Sequence, residues 1–201
     1  MSITFKRVSA YLLDIFFIYL LLSLITNIRF INPSFEKYTE SLEKYNEILN
    51  KYYNKEINLK EMQEQNKDNY YNISKYSIST SISIIVVVTL YFGLFQKYNN
   101  GQTLGKKITK LKVVYQNNRN SLWKCFLRIL PMYYFAIGNI ILLILNIIMV
   151  NVLNSSQYYN YSNIATNTFI FIGILDFLMM IIRKDKKCLH DLISGSIVEL
   201  E

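Results

Sequence analysis

Apolar positions gather into four long runs along the chain, and the polar stretches between them carry patterns of their own. The runs are Ala10 to Ile28, Ile78 to Phe95, Tyr133 to Leu153 and Ile164 to Ile182. Each is long enough to cross about 30 Å of hydrocarbon as a helix. Only the first and last hold a charge, Asp14 and Asp176. The second run is rich in serine and β-branched residues, which in water favour strand. Its length and lack of charge predict a membrane helix instead, because lipid offers the backbone no other partner. The first run has an aspartate in its first third and no small-residue cleavage site after it, so it is expected to remain as a span rather than act as a signal peptide.

Between the first two runs, Phe35, Tyr38, Leu42, Tyr45, Leu49 and Tyr52 recur at steps of three and four, the spacing of one helix face. A helix is predicted from Ser34 to Tyr53. Asn58 followed by Glu61 fits the capping box and starts a second helix from Leu59 to Tyr76. The two make a hairpin that either packs on itself or presents a sensing or partner-binding surface. After the second run, Asn100 and Gly101 mark a turn, and Leu104, Ile108 and Leu111 suit a short amphipathic helix. Lys112 to Tyr115 reads as a strand, Gln116 to Asn120 as a polar turn, and Leu122 to Leu130 as an amphipathic helix ending before Pro131. The tail predicts a short helix from Lys187 to Ile193, a break at Gly195 and a strand from Ser196 to Leu200. The two strands are expected to pair.

Composition supports the membrane class, with 52% hydrophobic and 15% aromatic residues in a chain of 201. Charge then sets the topology. The segment from Lys97 to Pro131 holds eight basic residues and no acidic one, so it should be cytoplasmic. Arg29 to Lys75 carries eight of each sign, and Asn154 to Asn163 carries neither, so both should lie outside. Four spans then put both termini in the cytoplasm of a cell-membrane protein. The expected fold is an all-α membrane protein, a single domain over residues 1–201, with four transmembrane helices, a small cytoplasmic strand pair and an extracytoplasmic helical hairpin. The positive-inside rule accounts for the net charge of +8 without nucleic acid. Cys125 and Cys188 fall on the reducing side, so no disulfide is expected.

Candidate chemistry is sparse. Arg7 and Asp14 share a helix face but lie about 10.5 Å apart along the axis, beyond comfortable reach of an arginine. A charge within a span costs about 2.5 to 3.5 kcal/mol on insertion scales, so Asp14 should have a partner or a function. Arg128, a water, or the polar face of spans three and four are the expected partners. Asn139 and Asn146, seven apart, and Asp176 supply that polar face. Gly101, Gly105 and Lys106 do not make a phosphate-binding loop, because three residues rather than four separate the glycines and Lys107 replaces the hydroxyl residue. His190 beside Asp191 gives no recognisable metal-ligand spacing, so neither a metal nor a cofactor is expected. No nucleophile, base and orienter occur together, which argues against an enzyme.

Arg7, Ala10 and Asp14 at the head of the first run, Gly101, Thr103, Gly105 and Lys106 before Val113 and Val114, then Arg128, then His190, Asp191, Gly195 and Val198, form an order that resembles the RDD family of bacterial membrane proteins. That family is named for an arginine and two aspartates, and Arg7, Asp14 and Asp191 look like the matching positions. The long charged first loop departs from the pattern, as does Ser196, where the family more often has threonine. The resemblance implies a multi-pass membrane protein of undefined activity, with proposed roles in cation/proton exchange or as an accessory to other membrane machinery.

Two functional expectations follow. In one, Arg7, Asp14 and Asp191 form a structural ion network, Arg7 meeting Asp191 at the cytoplasmic interface, in an accessory or interaction protein. Its expected partners are the bilayer, anionic lipid at the basic loop, another membrane protein or a second copy of the chain. In the other, Asp14, with Asp176, Asn139 and Asn146, forms a cation or proton site of an exchanger, since buried carboxylates in general can exchange protons near neutral pH.

Overall fold

A computed structural model describes residues 2–26, 31–115, 122–134 and 138–201. It is mostly helical. Helix α1 runs Ile3–Thr26, α2 Phe35–Tyr53, α3 Leu59–Tyr76 and α4 Ile78–Val88. A π-helical segment, Thr89–Phe95, continues α4 into α5, Gln96–Tyr98. Then come α6 Leu104–Ile108, β1 Leu111–Tyr115, α7 Leu122–Ile129, β2 Tyr133–Tyr134, β3 Gly138–Asn139, α8 Ile140–Val152, α9 Ser155–Ile182, α10 Leu189–Ser194 and β4 Ser196–Leu200. The polar turn expected at Gln116 to Asn120, and the last residues of the first apolar run, lie outside the described residues.

Among the described residues, three helical stretches are long and apolar enough to span a bilayer: Ile3–Ile25, Ile78–Tyr98 and Ser155–Ile182, of 23, 21 and 28 residues. At 1.5 Å per residue they reach roughly 32 to 42 Å. Their apolar side chains stay largely uncovered by protein; Leu12, Phe16, Leu24, Val86, Leu90, Ile164 and Phe171 are all exposed. In lipid that surface is solvated rather than stranded.

The third apolar run departs from expectation. Its helix, α8, has only 13 residues, about 20 Å. The physical reason is local. Gly138 has φ +86°, and the buried Asn139 accepts the Ile141 N–H on Oδ1 at 2.8 Å while its Nδ2 donates to the Leu130 and Met132 carbonyls. Asn139 therefore starts the helix late, as a cap. The last run starts earlier than expected, at Ser155, because Asn154 and Gln157 cap each other's backbone: the Gln157 N–H reaches Asn154 Oδ1 at 2.9 Å, and the Asn154 N–H reaches Gln157 Oε1 at 3.4 Å. The stretch expected as an outer loop from Asn154 to Asn163 is therefore mostly helix.

The chain forms two compact units. One comprises Ile25–Ser83 and Leu142–Asn167. Here α2 and α3 form an antiparallel hairpin, with the Asn58–Glu61 capping box made in full and Lys55 at φ +61° closing the turn. Asn66 lies buried within it and donates to the Tyr45 carbonyl. Tyr70, Tyr71 and Tyr158 pack ring against ring, and the Tyr71 hydroxyl donates to the Val150 carbonyl at 2.9 Å.

The other unit comprises Met1–Leu24, Ile84–Ile141 and Thr168–Glu201. Its apolar core joins Ile18 and Leu22 of α1 to Val88, Tyr91, Phe92, Ile129, Met132 and Ile140. A second cluster, Ala10, Leu111, Val113, Tyr115, Cys125 and Val198, lies against the sheet. Strands β1 and β4 pair antiparallel, with Val113 opposite Val198 and Tyr115 opposite Ser196. Alternate residues of β1 are buried, the pattern of a strand with one covered face. Gly101, at φ +80°, fits beneath β1 because a side chain there would strike the Val113 carbonyl.

Candidate functional site

Asp14 sits on the inner face of α1 and is 1% exposed. Its Oδ1 accepts the Tyr91 hydroxyl at 2.7 Å and the Gly105 N–H at 2.8 Å, and its Oδ2 accepts the Thr103 hydroxyl at 2.6 Å. The Lys106 ammonium stands 3.9 Å from Oδ2. The first N–H groups of a helix lack partners within it, so a carboxylate there satisfies them and meets the positive end of the helix dipole. Asp14 does this for α6 from a different helix, while Thr103, the residue before α6, accepts the Lys106 N–H. Gly105 allows the approach. A Cβ there would collide with the Ala10 carbonyl and lie 2.8 Å from Asp14 Oδ1.

Tyr91 reaches Asp14 from the π segment. That segment buries three consecutive residues, Tyr91, Phe92 and Gly93, and the Tyr91 hydroxyl also accepts the Leu104 N–H at 3.1 Å. Lys106 donates to Gln96 Oε1 at 3.0 Å and lies 5.5 Å above the Phe92 ring. Burial pushes its ammonium down to about 8; Asp14 opposes that shift, and Arg128 and Arg7 add to it.

Asp191, wholly buried, is the centre of a second cluster. Its Oδ2 accepts Arg7 at 2.6 Å and the Cys188 N–H at 3.0 Å; its Oδ1 meets Arg128 at 2.9 Å and the Ser196 hydroxyl at 3.3 Å. Arg7 also donates to the Lys186 carbonyl, and to Cys188 Sγ at 3.0 Å. Arg128 donates to the Ser196 hydroxyl and lies 3.3 Å from His190 Nε2. Burial alone would raise the Asp191 pKa, but Arg128, then His190 and Arg7, with the Cys188 N–H, hold it well below the usual carboxylate range. Next to it, Asp176 accepts the His190 backbone N–H at 2.9 Å and lies 2.8 Å from His190 Nδ1. Burial pushes the neighbouring Cys188 thiol up to about 12.

A cavity of about 440 Å³ connects the clusters, mostly apolar but touched by Arg7, Asp14, Lys106, Arg128, Asp176 and His190. The structure thus brings Arg7 and Asp191 together, with Arg128 and His190 around them. It places Asp14 in a separate cluster with Lys106 and Gly105. Among the described residues the hydrogen-bond partners of Asp14 are not the expected Arg128 or later spans, but the open end of α6 and the Tyr91 hydroxyl. Asn139 is occupied as a cap, and Asn146 belongs to the other unit, its Oδ1 buried without a hydrogen-bond partner among the described residues. Sequence reasoning missed Tyr91, Gln96 and Cys188. Nothing in the apolar period announces the π turn that aims Tyr91, whereas Cys188 stands two residues before His190 and could have been weighed with it.

No curated protein and no solved structure matches the chain. The model of the RDD family matches residues 2–195, so the chain belongs to the RDD family.

Proposed function

We propose that this protein acts in the cell membrane as a non-enzymatic accessory or interaction protein, with Arg7, Asp14 and Asp191 serving as its structural network. One observation carries the reading: every carboxylate oxygen of Asp14 and Asp191 accepts hydrogen bonds from donors of the chain itself. Such groups hold elements in register. Asp14 fixes the segment before β1, and Asp191 fixes the segment before β4, to the same helix.

The pairing of β1 with β4 also supports an even number of crossings between them. Among the described residues α8 and α9 are the helices between α7 and the tail, and α9 is long enough to cross once, so α8 and the residues beside it are read as the return. That gives four spans, and the basic segments at 97–131 and 183–187 put both termini in the cytoplasm. The basic loop then faces anionic lipid, and the α2–α3 hairpin lies outside, available to another membrane protein or a second copy of the chain.

A second reading, cation/proton exchange, is favoured by the cavity that touches both Asp14 and Asp176. Proton flux driven by a cation gradient in proteoliposomes separates the two. The structural reading expects no flux from the parent and a loss of stability in Asp14→Asn; flux from the parent, abolished in a folded Asp14→Asn, would overturn it.

A further inference from the structure

Asp176, Cys188 and His190 come from the end of a span, the start of α10 and its first turn, yet their carboxylate oxygen, thiol sulfur and ring nitrogen all lie within 4.8 Å of one another. Donors bound to one tetrahedral zinc stand roughly 3.3 to 3.8 Å apart, so only a small closure separates this arrangement from a coordinating one. Imidazole, thiolate and carboxylate form a donor set suited to zinc-like ions. We propose that these three residues bind a single Zn²⁺-class ion, leaving its remaining position open toward the cavity.

Four features support the site. First, all three residues line the cavity of about 440 Å³, so a water or an incoming ligand has room at the fourth position, as in sites with three protein ligands. Second, His190 Nε2 lies 3.5 Å from Asp191 Oδ1. A metal-bound histidine commonly donates its other ring N–H to a carboxylate; Asp191 supplies one once Arg128 Nη2, now 3.3 Å from the same nitrogen, turns away from it. Third, Arg7 Nη2 already donates to Cys188 Sγ at 3.0 Å, a bond that strengthens when the sulfur is a thiolate. Fourth, one thiolate and one carboxylate cancel the charge of a divalent ion, and Asp191 offsets one of the two guanidinium groups beside the site. On binding, the ion replaces the Cys188 thiol proton, which leaves to solvent. His190 then presents bare Nδ1 to the metal and carries its single ring proton on Nε2.

The inference goes beyond the structural reading and does not depend on it. Co²⁺, a spectroscopic stand-in for zinc, is the probe for the purified full chain in detergent. One equivalent should produce thiolate-to-cobalt charge-transfer absorption that Zn²⁺ displaces. Cys188→Ser should abolish the band and Cys125→Ser should keep it, while Asp176→Asn should weaken binding roughly tenfold or more. A readout in the unaltered protein guards against variants that fail to fold: Zn²⁺ should slow alkylation of Cys188, because a metal-bound thiolate is not free to react, and a chelator should restore the rate. Absence of a charge-transfer band in the parent, its persistence in Cys188→Ser, or Cys188 alkylation indifferent to Zn²⁺ would each overturn the proposal, leaving a hydrogen-bonded Asp176–His190 pair only.

Discussion

Asp14 and Asp191 are both buried carboxylates in reach of α1, but the chain neutralises them by different means. Asp14 is met chiefly by neutral donors, a phenol, a hydroxyl and a backbone N–H, with one ammonium at 3.9 Å. Asp191 is met by two guanidinium groups at 2.6 and 2.9 Å. Breaking a buried pair by removing one partner leaves the other charge uncompensated, which costs about 3 to 5 kcal/mol. Asp191→Asn strands two arginines, so it should lower unfolding stability by at least that much. A loss below about 1 kcal/mol would match an exposed pair instead. The depressed Asp191 pKa fixes the sign of its pH dependence. Its contribution is present above the unfolded value of 3.8 and lost only as pH falls through the lower folded value. The network should therefore hold throughout the neutral range. Lys106 behaves oppositely, since burial drops its pKa from 10.5 to about 8. Between those values the unfolded chain holds a proton that the folded chain has released, so stability from this residue rises with pH across the window. A magnetic-resonance titration of the Lys106 side chain should show a midpoint near 8; a midpoint near 10.5 would mean the ammonium is solvated.

Elements were legible in the sequence where one periodicity governed them. The face of α2 followed from spacing, the start of α3 from the Asn58–Glu61 pattern, and the β1–β4 pairing from two strand candidates expected on one side of the membrane. The misses share a different cause. Asn139 and Asn154 act through side chain to backbone bonds that override an apolar run, so α8 starts late and α9 early. The π segment has no hydrophobic signature, and with it went the partner of Asp14. The candidate site was half legible: the cost of a charge in a span singled out Asp14, but its partners Tyr91, Thr103 and Gly105 are ordinary residues until α6 docks on α1. That docking rests on a missing side chain. Gly105→Ala would press a methyl into the Ala10 carbonyl and Asp14, and should destabilise the protein by about 2 kcal/mol or more. Gly93→Ala meets the flexible Ile129 Cδ1 at 3.3 Å and the Phe126 ring at an ordinary 3.8 Å and should cost less. Thermal unfolding of both variants in detergent checks the order; equal losses would show that close approach at Gly105 is not the constraint.

For the whole molecule, α1 is the shared anchor of its own unit. Seven residues apart, Arg7 and Asp14 fasten two segments that are 86 residues distant in sequence, Gly105 and Asp191, to one helix. The strands that follow those segments then pair with each other, which closes the assembly. The sequence predicted that Arg7 would meet Asp191 and that Asp14 would find a different partner, but not that this partner would be the segment before β1. Backbone hydrogen exchange of the full chain in a lipid nanodisc, parent beside Asp14→Asn, measures that fastening directly. If Asp14 is a structural clamp, exchange across Leu104 to Tyr115 accelerates by about tenfold or more, roughly 1.4 kcal/mol of lost protection, while α1 stays protected. Unchanged exchange in that segment would contradict the account, because Asp14 would then be holding nothing in place.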